Sequence, residues 1–266
     1  MPTFTPNIFP LKNNNSFKAF LAETGDISAF GWRFFTEGFK PRYEFAELLR
    51  QCYFIGYKSL PLVGITAFIM GLVLTIQSRP TLVEFGAEAW LPGMVSVSLV
   101  REIAPVISAL ICAGKIGSGI GAELGSMKVT EQIDAMEVSG TNPFKFLVVT
   151  RVMACTLMIP VLAVLADIIS LYGGYMGANI RGVVSWDLYW YQAFDALSFS
   201  DLLPAIVKTF FFGYAIGVVG CYKGYFSSKG TEGVGQSANS AVVVASLLVF
   251  IIDLVAVQIT DIFQLT

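Results

Sequence analysis

The chain has 266 residues, of which 55% are hydrophobic and only 14% are charged. Soluble domains carry about 25% charged residues, so this composition excludes an ordinary water-soluble globule and predicts a protein of the lipid bilayer. The 17 Lys and Arg residues nearly balance the 19 Asp and Glu residues, which argues against a nucleic-acid-binding surface. The absence of histidine excludes Ser-His-Asp and Cys-His catalysis and histidine-ligated metal sites.

An N-terminal tail over residues 1–25 precedes an aromatic and charged region over residues 26–57. In this region Phe, Trp and Tyr are interleaved with Lys, Arg and Glu, a mixture typical of an amphipathic helix that lies in the membrane interface. We therefore predict an interfacial helix before the first membrane span, followed by a transmembrane domain over residues 58–266.

The transmembrane domain contains five apolar segments that are long enough to cross a bilayer. A helix rises about 1.5 Å per residue, so about 20 residues cover a hydrocarbon core of about 30 Å. The predicted spans cover residues 59–78, 94–113, 146–176, 202–221 and 241–260. The first is apolar on every side, which favours a helix over a barrel strand. The sequence thus predicts an all-α integral membrane protein.

The Lys and Arg residues near the ends of the spans predict which side faces the cytoplasm. Most of them lie before the first span, between the second and third spans, and between the fourth and fifth, whereas the other connections carry only Arg79 and Arg181. Loops rich in Lys and Arg stay on the cytoplasmic side. The N-terminus is therefore predicted to be inside and the C-terminus outside, with the aromatic stretch over residues 184–199 at the outer boundary of the membrane.

Gly117, Gly121 and Gly125 recur every four residues after the second predicted span, and Gly114 lies one turn earlier. On a helix this spacing forms a stripe of small residues that lets another helix approach closely. A Walker A loop requires GxxxxGK followed by Ser or Thr, whereas the only Gly-Lys pair of this sequence is followed by Ile116. The stripe therefore indicates helix packing rather than ATP binding.

Residues 126–140 predict an amphipathic helix on the cytoplasmic side. Val129, Ile133 and Met136 fall within about 40° of one direction, and acidic and polar residues occupy the rest of the surface. Gly140 and the Asn-Pro pair that follows end the helix. The pattern alone leaves two interpretations open: a solvated helix on the membrane surface, or a docking helix for a cytoplasmic partner.

Charged residues occur inside several spans, where each is costly unless it faces protein, water or a partner. Arg101 and Glu102 are adjacent in the second span and form a candidate pair that compensates itself, while Asp253 in the fifth span is a candidate to neutralise Lys208 in the fourth. Structural pairing and a polar cavity are equally supported at this point. No carboxylate pair with a nucleophile indicates an enzyme.

The segment from Arg101 to Arg151, REIAPVISALICAGKIGSGIGAELGSMKVTEQIDAMEVSGTNPFKFLVVTR, closely resembles the signature region of MlaE/YrbE permeases. These proteins are the membrane subunits of MCE-type ABC transporters. The similarity extends to GLVLTIQ at residues 71–77, IVKTFFFG at 206–213 and GCYKGY at 220–225. It covers nearly the whole chain apart from the N-terminal tail.

This resemblance implies a homodimeric permease of the bacterial inner membrane with an interfacial helix, five spans, and a cytoplasmic coupling helix between the second and third spans. It implies a separate cytoplasmic ABC ATPase (MlaF-like), a periplasmic MCE-domain protein (MlaD-like, often hexameric) and, in some systems, a small STAS-type regulatory subunit. The substrate it implies is phospholipid or a related lipid that moves between the inner membrane and the outer envelope. No cofactor is implied for the chain itself, and the C-terminus is expected in the periplasm.

The resemblance also assigns residues to two sites. The coupling helix corresponds to residues that would contact the ATPase, namely Glu131, Gln132, Asp134, Ala135 and Glu137. The lipid cavity, expected between two protomers and open toward the periplasm, corresponds to Leu74, Leu82, Arg101, Glu102 and Lys208. Asp167 in the third span lies outside the pattern, and its role stays open.

An ion-coupled secondary transporter is the rival function, with Glu102, Lys208 and Asp253 as an ion or proton relay. Many such transporters are built from inverted repeats with broken helices, and the sequence shows no convincing internal repeat. A purely structural anchor for MCE proteins is a third interpretation, but it leaves the coupling helix without a role. Co-purification with an ATPase would support the ABC permease and not the ion-coupled transporter.

Overall fold

The computed structural model describes residues 16–38, 44–180, 182, 184–228 and 230–264, and all regular elements in these ranges are helical. The α-helices are α1 (Ser16–Gly38), α2 (Phe45–Cys52), α3 (Leu60–Glu84), α4 (Leu91–Ser98), α5 (Ala104–Cys112), α6 (Ser118–Val129), α7 (Gln132–Val138), α8 (Thr150–Asn179), α9 (Trp186–Asp195), α10 (Phe199–Tyr225) and α11 (Thr231–Gln264). Wider π-helical turns occupy Tyr53–Tyr57, Leu99–Ile103, Ala113–Gly117 and Phe144–Val149, and a 3₁₀ turn occupies Glu88–Trp90.

Five helical segments of the described chain are long and apolar enough to cross a membrane. They are Phe45–Glu84, Glu88–Val129, Phe144–Asn179, Phe199–Tyr225 and Thr231–Ile262. Each contains one of the predicted spans, so the prediction of an all-α integral membrane protein with five spans is confirmed. The segments are 27 to 42 residues long, which exceeds the roughly 20 residues that a bilayer requires.

The second span departs furthest from the prediction, which ended it near residue 113. The helix instead continues through the π-helical turn Ala113–Gly117 and α6, so it ends only at Val129. The glycine stripe therefore belongs to the span and not to a connection between spans. Sequence analysis ended the span too early because the stripe and its neighbouring Ser and Lys residues lower the local hydropathy, although they lie on one continuous helix.

The glycine stripe packs against the start of α11, as the spacing predicted. A Cβ atom added at Gly121 would lie 3.2 Å from the carbonyl oxygen of Ser237, and one at Gly125 would lie 3.6 Å from the Cα of Val234. By contrast, a Cβ added at Gly114 would meet no atom within 4 Å. Helix packing is confirmed for the later part of the stripe and does not extend to its first member.

The region predicted as one interfacial helix over residues 26–57 contains two helices. The first, α1, begins at Ser16, inside the predicted tail, and α2 continues through the turn Tyr53–Tyr57 toward α3. Phe30 of α1 is buried against the rings of Phe144 and Tyr222, at centroid distances of 5.1 and 5.6 Å. Phe34 and Phe35 also contact the ring of Tyr214, so aromatic side chains anchor this helix on the bundle. Residues 1–15 and Arg181 lie outside the described residues.

The predicted amphipathic helix over residues 126–140 is divided by a corner. Helix α6 ends at Val129, and Glu131 has φ = 59°, a left-handed conformation that a non-glycine residue adopts rarely. Only Gln132–Val138 forms the separate short helix α7, and Gly140 follows with φ = 79°. The predicted apolar face is partly confirmed, because Ile133 is fully buried. The predicted start of this helix at residue 126 is wrong, because α7 begins only at Gln132. The prediction missed the corner because a glutamate in the left-handed conformation has no local sequence pattern that distinguishes it from a helical glutamate.

Close helix contacts hold the five spans together at glycine positions. A Cβ added at Gly177 of α8 would lie 2.9 Å from the carbonyl oxygen of Leu72 in α3, and one at Gly213 of α10 would lie 2.6 Å from the carbonyl oxygen of Cys155 in α8. In a bilayer, where apolar side chains gain little by leaving lipid, such close backbone packing is a main source of helix association. α8 therefore forms the centre of the bundle between α3 and α10.

Candidate functional site

Lys208 is the centre of an ion-pair network that joins three spans. Its Nζ atom donates to Glu102 Oε2 at 2.6 Å and to Asp253 Oδ1 at 2.8 Å. Only 4% of the lysine side chain is exposed, against 37% for Glu102 and 19% for Asp253. An ammonium group in an apolar span is stable only with such partners. The predicted neutralisation of Lys208 by Asp253 is confirmed.

Arg101 contacts two other carboxylates. Its guanidinium lies 3.8 Å from Asp201 and 3.5 Å from Asp261, and 32% of its side chain is exposed. The expected self-compensation of Arg101 and Glu102 is wrong, because residues adjacent on a helix point about 100° apart and reach different neighbours. The sequence analysis did not identify Asp201 and Asp261 as members of this site.

Local structure explains how α10 presents these groups. Asp201 belongs to the capping box of α10, where its Oδ2 atom accepts bonds from the backbone N–H and the hydroxyl of Ser198 at 3.1 and 2.6 Å. These two bonds orient the Asp201 carboxylate so that its other oxygen, Oδ1, faces Arg101. Lys208 follows seven residues later, about two turns, so both side chains lie on the same side of the helix. That spacing is a signal in the sequence that points to Asp201.

The network borders a narrow crevice rather than a lipid-sized cavity. The crevice lies between the second, fourth and fifth spans, beside Glu102, Pro204, Ala205, Lys208 and Val257. Its volume is only about 10 Å³, roughly the room that one water molecule needs. A single copy of the chain therefore has no room for a lipid at this place. Arg101 and Glu102 reach the surface, whereas Lys208 is enclosed.

Leu74 and Leu82 lie in a neighbouring part of the molecule. Both are half-buried residues of α3, packed against an apolar cluster that includes Leu99 and Val100. Val100 directly precedes Arg101 in the π-helical turn Leu99–Ile103. Arg101 and Glu102 thus belong to this turn, Lys208 bonds to Glu102, and the two leucines pack against the apolar cluster to which the start of the turn belongs.

The short helix α7 exposes the five predicted coupling residues together. Glu131, Gln132, Asp134, Ala135 and Glu137 are all exposed. Ile133 is buried and Met136 is half-buried, and both belong to the main core or pack against it. Asp134 accepts from Lys128 Nζ at 2.8 Å, which ties the helix to the end of α6. The helix α7 thus has an exposed acidic surface and is held on the core by the buried side chain of Ile133.

Comparison with known proteins agrees with this architecture. The sequence model of the family described as "Permease MlaE" matches residues 48–259. The chain belongs to the MlaE permease family. It is 38% identical to a probable ABC transporter permease protein, RT0041, of Rickettsia typhi over 92% of this chain and 94% of that protein. It is 34% identical to the intermembrane phospholipid transport system permease protein MlaE of Haemophilus influenzae, over 80% of this chain and 82% of that protein.

Asp167 is a charged residue in the third span whose role the sequence analysis left open. It lies in the middle of α8, and its Oδ1 atom is buried with no hydrogen-bond partner among the described residues. The backbone carbonyl of Asp167 accepts from the Ser170 hydroxyl at 2.9 Å, so the side chain is the unsatisfied part. Lys208 nevertheless acts electrostatically on the Asp167 carboxyl group, so Asp167 lies near the Lys208 network.

Proposed function

We propose that this chain is the permease subunit of an ABC transporter that moves phospholipid between the inner membrane and the outer envelope. The observation that carries the proposal is the charged network around Lys208, which sits within apolar spans and reaches the surface through Glu102, next to the partly exposed Arg101. A site for an amphiphile combines apolar walls with a few polar groups. Relatives that are named ABC transporter permeases, and one named for phospholipid transport, support the same function.

We propose that the lipid cavity forms between two copies of the chain. The crevice of a single copy is far too small for a lipid, whereas α11 exposes a long apolar face that includes Leu247, Ile251 and Leu254. In a homodimer, such faces together with Leu74, Leu82, Arg101 and Glu102 would line one shared space, with Lys208 holding Glu102 in position. The matching of these residues to the cavity of the family supports the assignment.

We propose that a separate ATPase docks on α7. The sequence has no Walker A loop, so ATP hydrolysis requires another subunit. The acidic residues of α7 are exposed and their helix is anchored by Ile133, which suits insertion into a groove of a partner. The positive-inside rule supports a cytoplasmic position for this helix and a periplasmic C-terminus. A hexameric MCE-domain protein is then the periplasmic partner, and a STAS-type subunit would accompany the ATPase.

The ion-coupled alternative is not favoured. The relatives that the chain matches are named as ABC transporter or phospholipid transport permeases and not as ion-coupled transporters.

The proposal is tested by purifying the permease from its native membrane and identifying the proteins and lipids that accompany it. We expect an ABC ATPase to co-purify, and bound phospholipid to be present by mass spectrometry. In proteoliposomes, ATP should then drive phospholipid transfer to an acceptor. Transfer that requires an ion gradient and is indifferent to ATP would contradict the proposal.

A further inference from the structure

A second cavity of the chain has no part in the function proposed above. It has a volume of about 400 Å³ and lies between α2, α6 and the first turn of α8. Three of the π-helical turns contribute to its walls, through Phe54, Lys115 and Phe146. Such wide turns occur frequently at functional sites of helical proteins. The cavity lies near the end of the second span and the start of the third, on the side of the bundle where α7 connects these two spans. It lies away from the Lys208 network.

Two buried polar atoms on the wall of this cavity lack a partner. Arg151 is 2% exposed; its Nη2 atom donates to Glu123 at 2.9 Å and its Nη1 atom to the carbonyl oxygen of Leu147 at 3.0 Å. The remaining donor, Nε, has no partner among the described residues, and neither has the hydroxyl of Ser59, which is 1% exposed. Buried donors of this kind are normally satisfied. Two of them on one cavity point to a ligand that accepts hydrogen bonds.

The charges of the cavity favour an anion. Its lining includes three cations, Arg50, Lys115 and Arg151, and two carboxylates, Glu47 and Glu123. Glu47 pairs with Arg50 at 3.6 Å and Glu123 pairs with Arg151 at 2.9 Å, so each carboxylate compensates one arginine and Lys115 supplies the excess positive charge. Lys115 is exposed, and its Nζ atom donates to the backbone carbonyl oxygen of Lys58. A bound anion would compete with this neutral acceptor for the ammonium group, because charge-assisted hydrogen bonds are the stronger ones.

We propose that this cavity binds the phosphate group of an anionic phospholipid from the cytoplasmic leaflet. Basic pockets between helices on the cytoplasmic side are suited to lipid headgroups. The ring of Phe54 favours a lipid over soluble phosphate, because it lines the cavity, is exposed and would contact the acyl region. The site rests on the proposed orientation, and it is distinct from the proposed substrate cavity at the Lys208 network.

A cysteine at Gly119 tests the proposal directly. Gly119 lines the cavity, and a Cβ added there would meet no atom within 4 Å, so the substitution costs no packing. The full-length Gly119→Cys protein, with Cys52→Ser to remove the half-buried thiol, is labelled with a soluble maleimide in detergent. Added phosphatidylglycerol should slow the labelling at about fivefold lower concentration than phosphatidylcholine, the affinity difference expected for one basic contact. Phosphatidylcholine should protect less.

Two variants provide the controls. Gly114→Cys lies on the same span, also meets no atom within 4 Å, and does not line the cavity, so its labelling should be unaffected by lipid. Lys115→Met in the Gly119→Cys background should remove the protection, whereas Lys128→Met, further along the same span, should keep it.

Three outcomes would overturn the proposal. Protection by inorganic phosphate and not by phosphatidylglycerol would assign the site to a soluble anion. Equal protection by both lipids at both cysteines would indicate nonspecific coverage. A Gly119→Cys thiol that fails to react without lipid would show that the cavity is closed in the assembled protein. Lipid transfer is not part of the readout, so failure here leaves the transport proposal standing.

Discussion

Arg101 and Glu102 are consecutive in the sequence, yet their side chains pair with different helices. Glu102 bonds Lys208 of α10, whereas Arg101 reaches Asp201 of α10 and Asp261 of α11. The π-helical turn that contains them thus distributes two opposite charges into two separate clusters. Because each cluster spans at least two helices, the pairs restrain how the second, fourth and fifth spans pack.

The Lys208 network is predicted to stabilise the protein. Lys208→Met leaves two partly buried carboxylates without a cation, and removing one partner of a buried pair costs about 3–5 kcal/mol. We expect the lower end, because Glu102 is 37% exposed. Glu102→Gln should cost less, since Asp253 still compensates the lysine. Thermal unfolding in detergent measures both, with Lys128→Met as the matched control.

A triple variant separates stability from transport. Glu102→Gln/Lys208→Met/Asp253→Asn removes every charge of the network and should recover much of the stability lost in Lys208→Met. If Glu102 also contacts lipid, Glu102→Gln alone should retain the fold and reduce phospholipid flux. An unchanged unfolding temperature for Lys208→Met would remove the stabilising role.

The exposed acidic residues of α7 are predicted to be required for coupling ATP hydrolysis to lipid transfer. Glu131→Lys/Asp134→Lys reverses two exposed charges and leaves the anchor Ile133 in place. The ion pair of Asp134 with Lys128 that it breaks is exposed and contributes about 1 kcal/mol or less, so insertion and folding should be retained. Association with the ATPase, measured by co-purification, should weaken several-fold, and ATP-driven lipid transfer should fall with it. Full transfer by a stably expressed double variant would exclude this helix from coupling. Asp187→Lys on α9, at the opposite end of the bundle, is the matched control.

The orientation is tested with single cysteines at two exposed positions. Ser228 lies between α10 and α11, and Ile262 lies near the end of α11. In the Cys52→Ser background the other three native thiols are buried. A membrane-impermeant maleimide should label Ser228→Cys only in inside-out vesicles and Ile262→Cys only in intact spheroplasts. The reverse pattern at either position would overturn the five-span orientation.

The contact between α3 and α8 is predicted to tolerate no side chain at Gly173. An added Cβ there collides with the carbonyl oxygen of Phe68, so Gly173→Ala should force the helices apart at a cost of about 1–3 kcal/mol. Gly114→Ala, where a Cβ meets open space, should change the unfolding temperature little. Equal stability of the two variants would contradict the packing seen at this interface.

The five spans and the ion pair between Lys208 and Asp253 were predictable from the sequence. Apolar segments are more stable in lipid than in water, and a charged group inside a span requires a partner of opposite charge. A long apolar segment has few alternatives to a membrane helix, and an isolated Lys208 requires a carboxylate, which Asp253 provides. The partners of Arg101 were not predictable in the same way, because Asp201 is equally explained as a helix cap and Asp261 lies near the chain end. The left-handed Glu131 and the π-helical turns have no local signature, so the boundaries of the second span and of α7 required the structure.

The continuity of Glu88–Val129 has a mechanical consequence. Glu102 and the corner before α7 lie on one rod, separated by 27 residues from Glu102 to Val129, or about 40 Å at the rise of an α-helix. If the ATPase docks on α7 as proposed, its movement would reach the charged network as a tilt of this continuous helix. The π-helical turn Ala113–Gly117 lies between the two ends, where the hydrogen-bond pattern of the α-helix is interrupted. Bending at this turn would then limit how much of the movement at α7 is transmitted to the charged network.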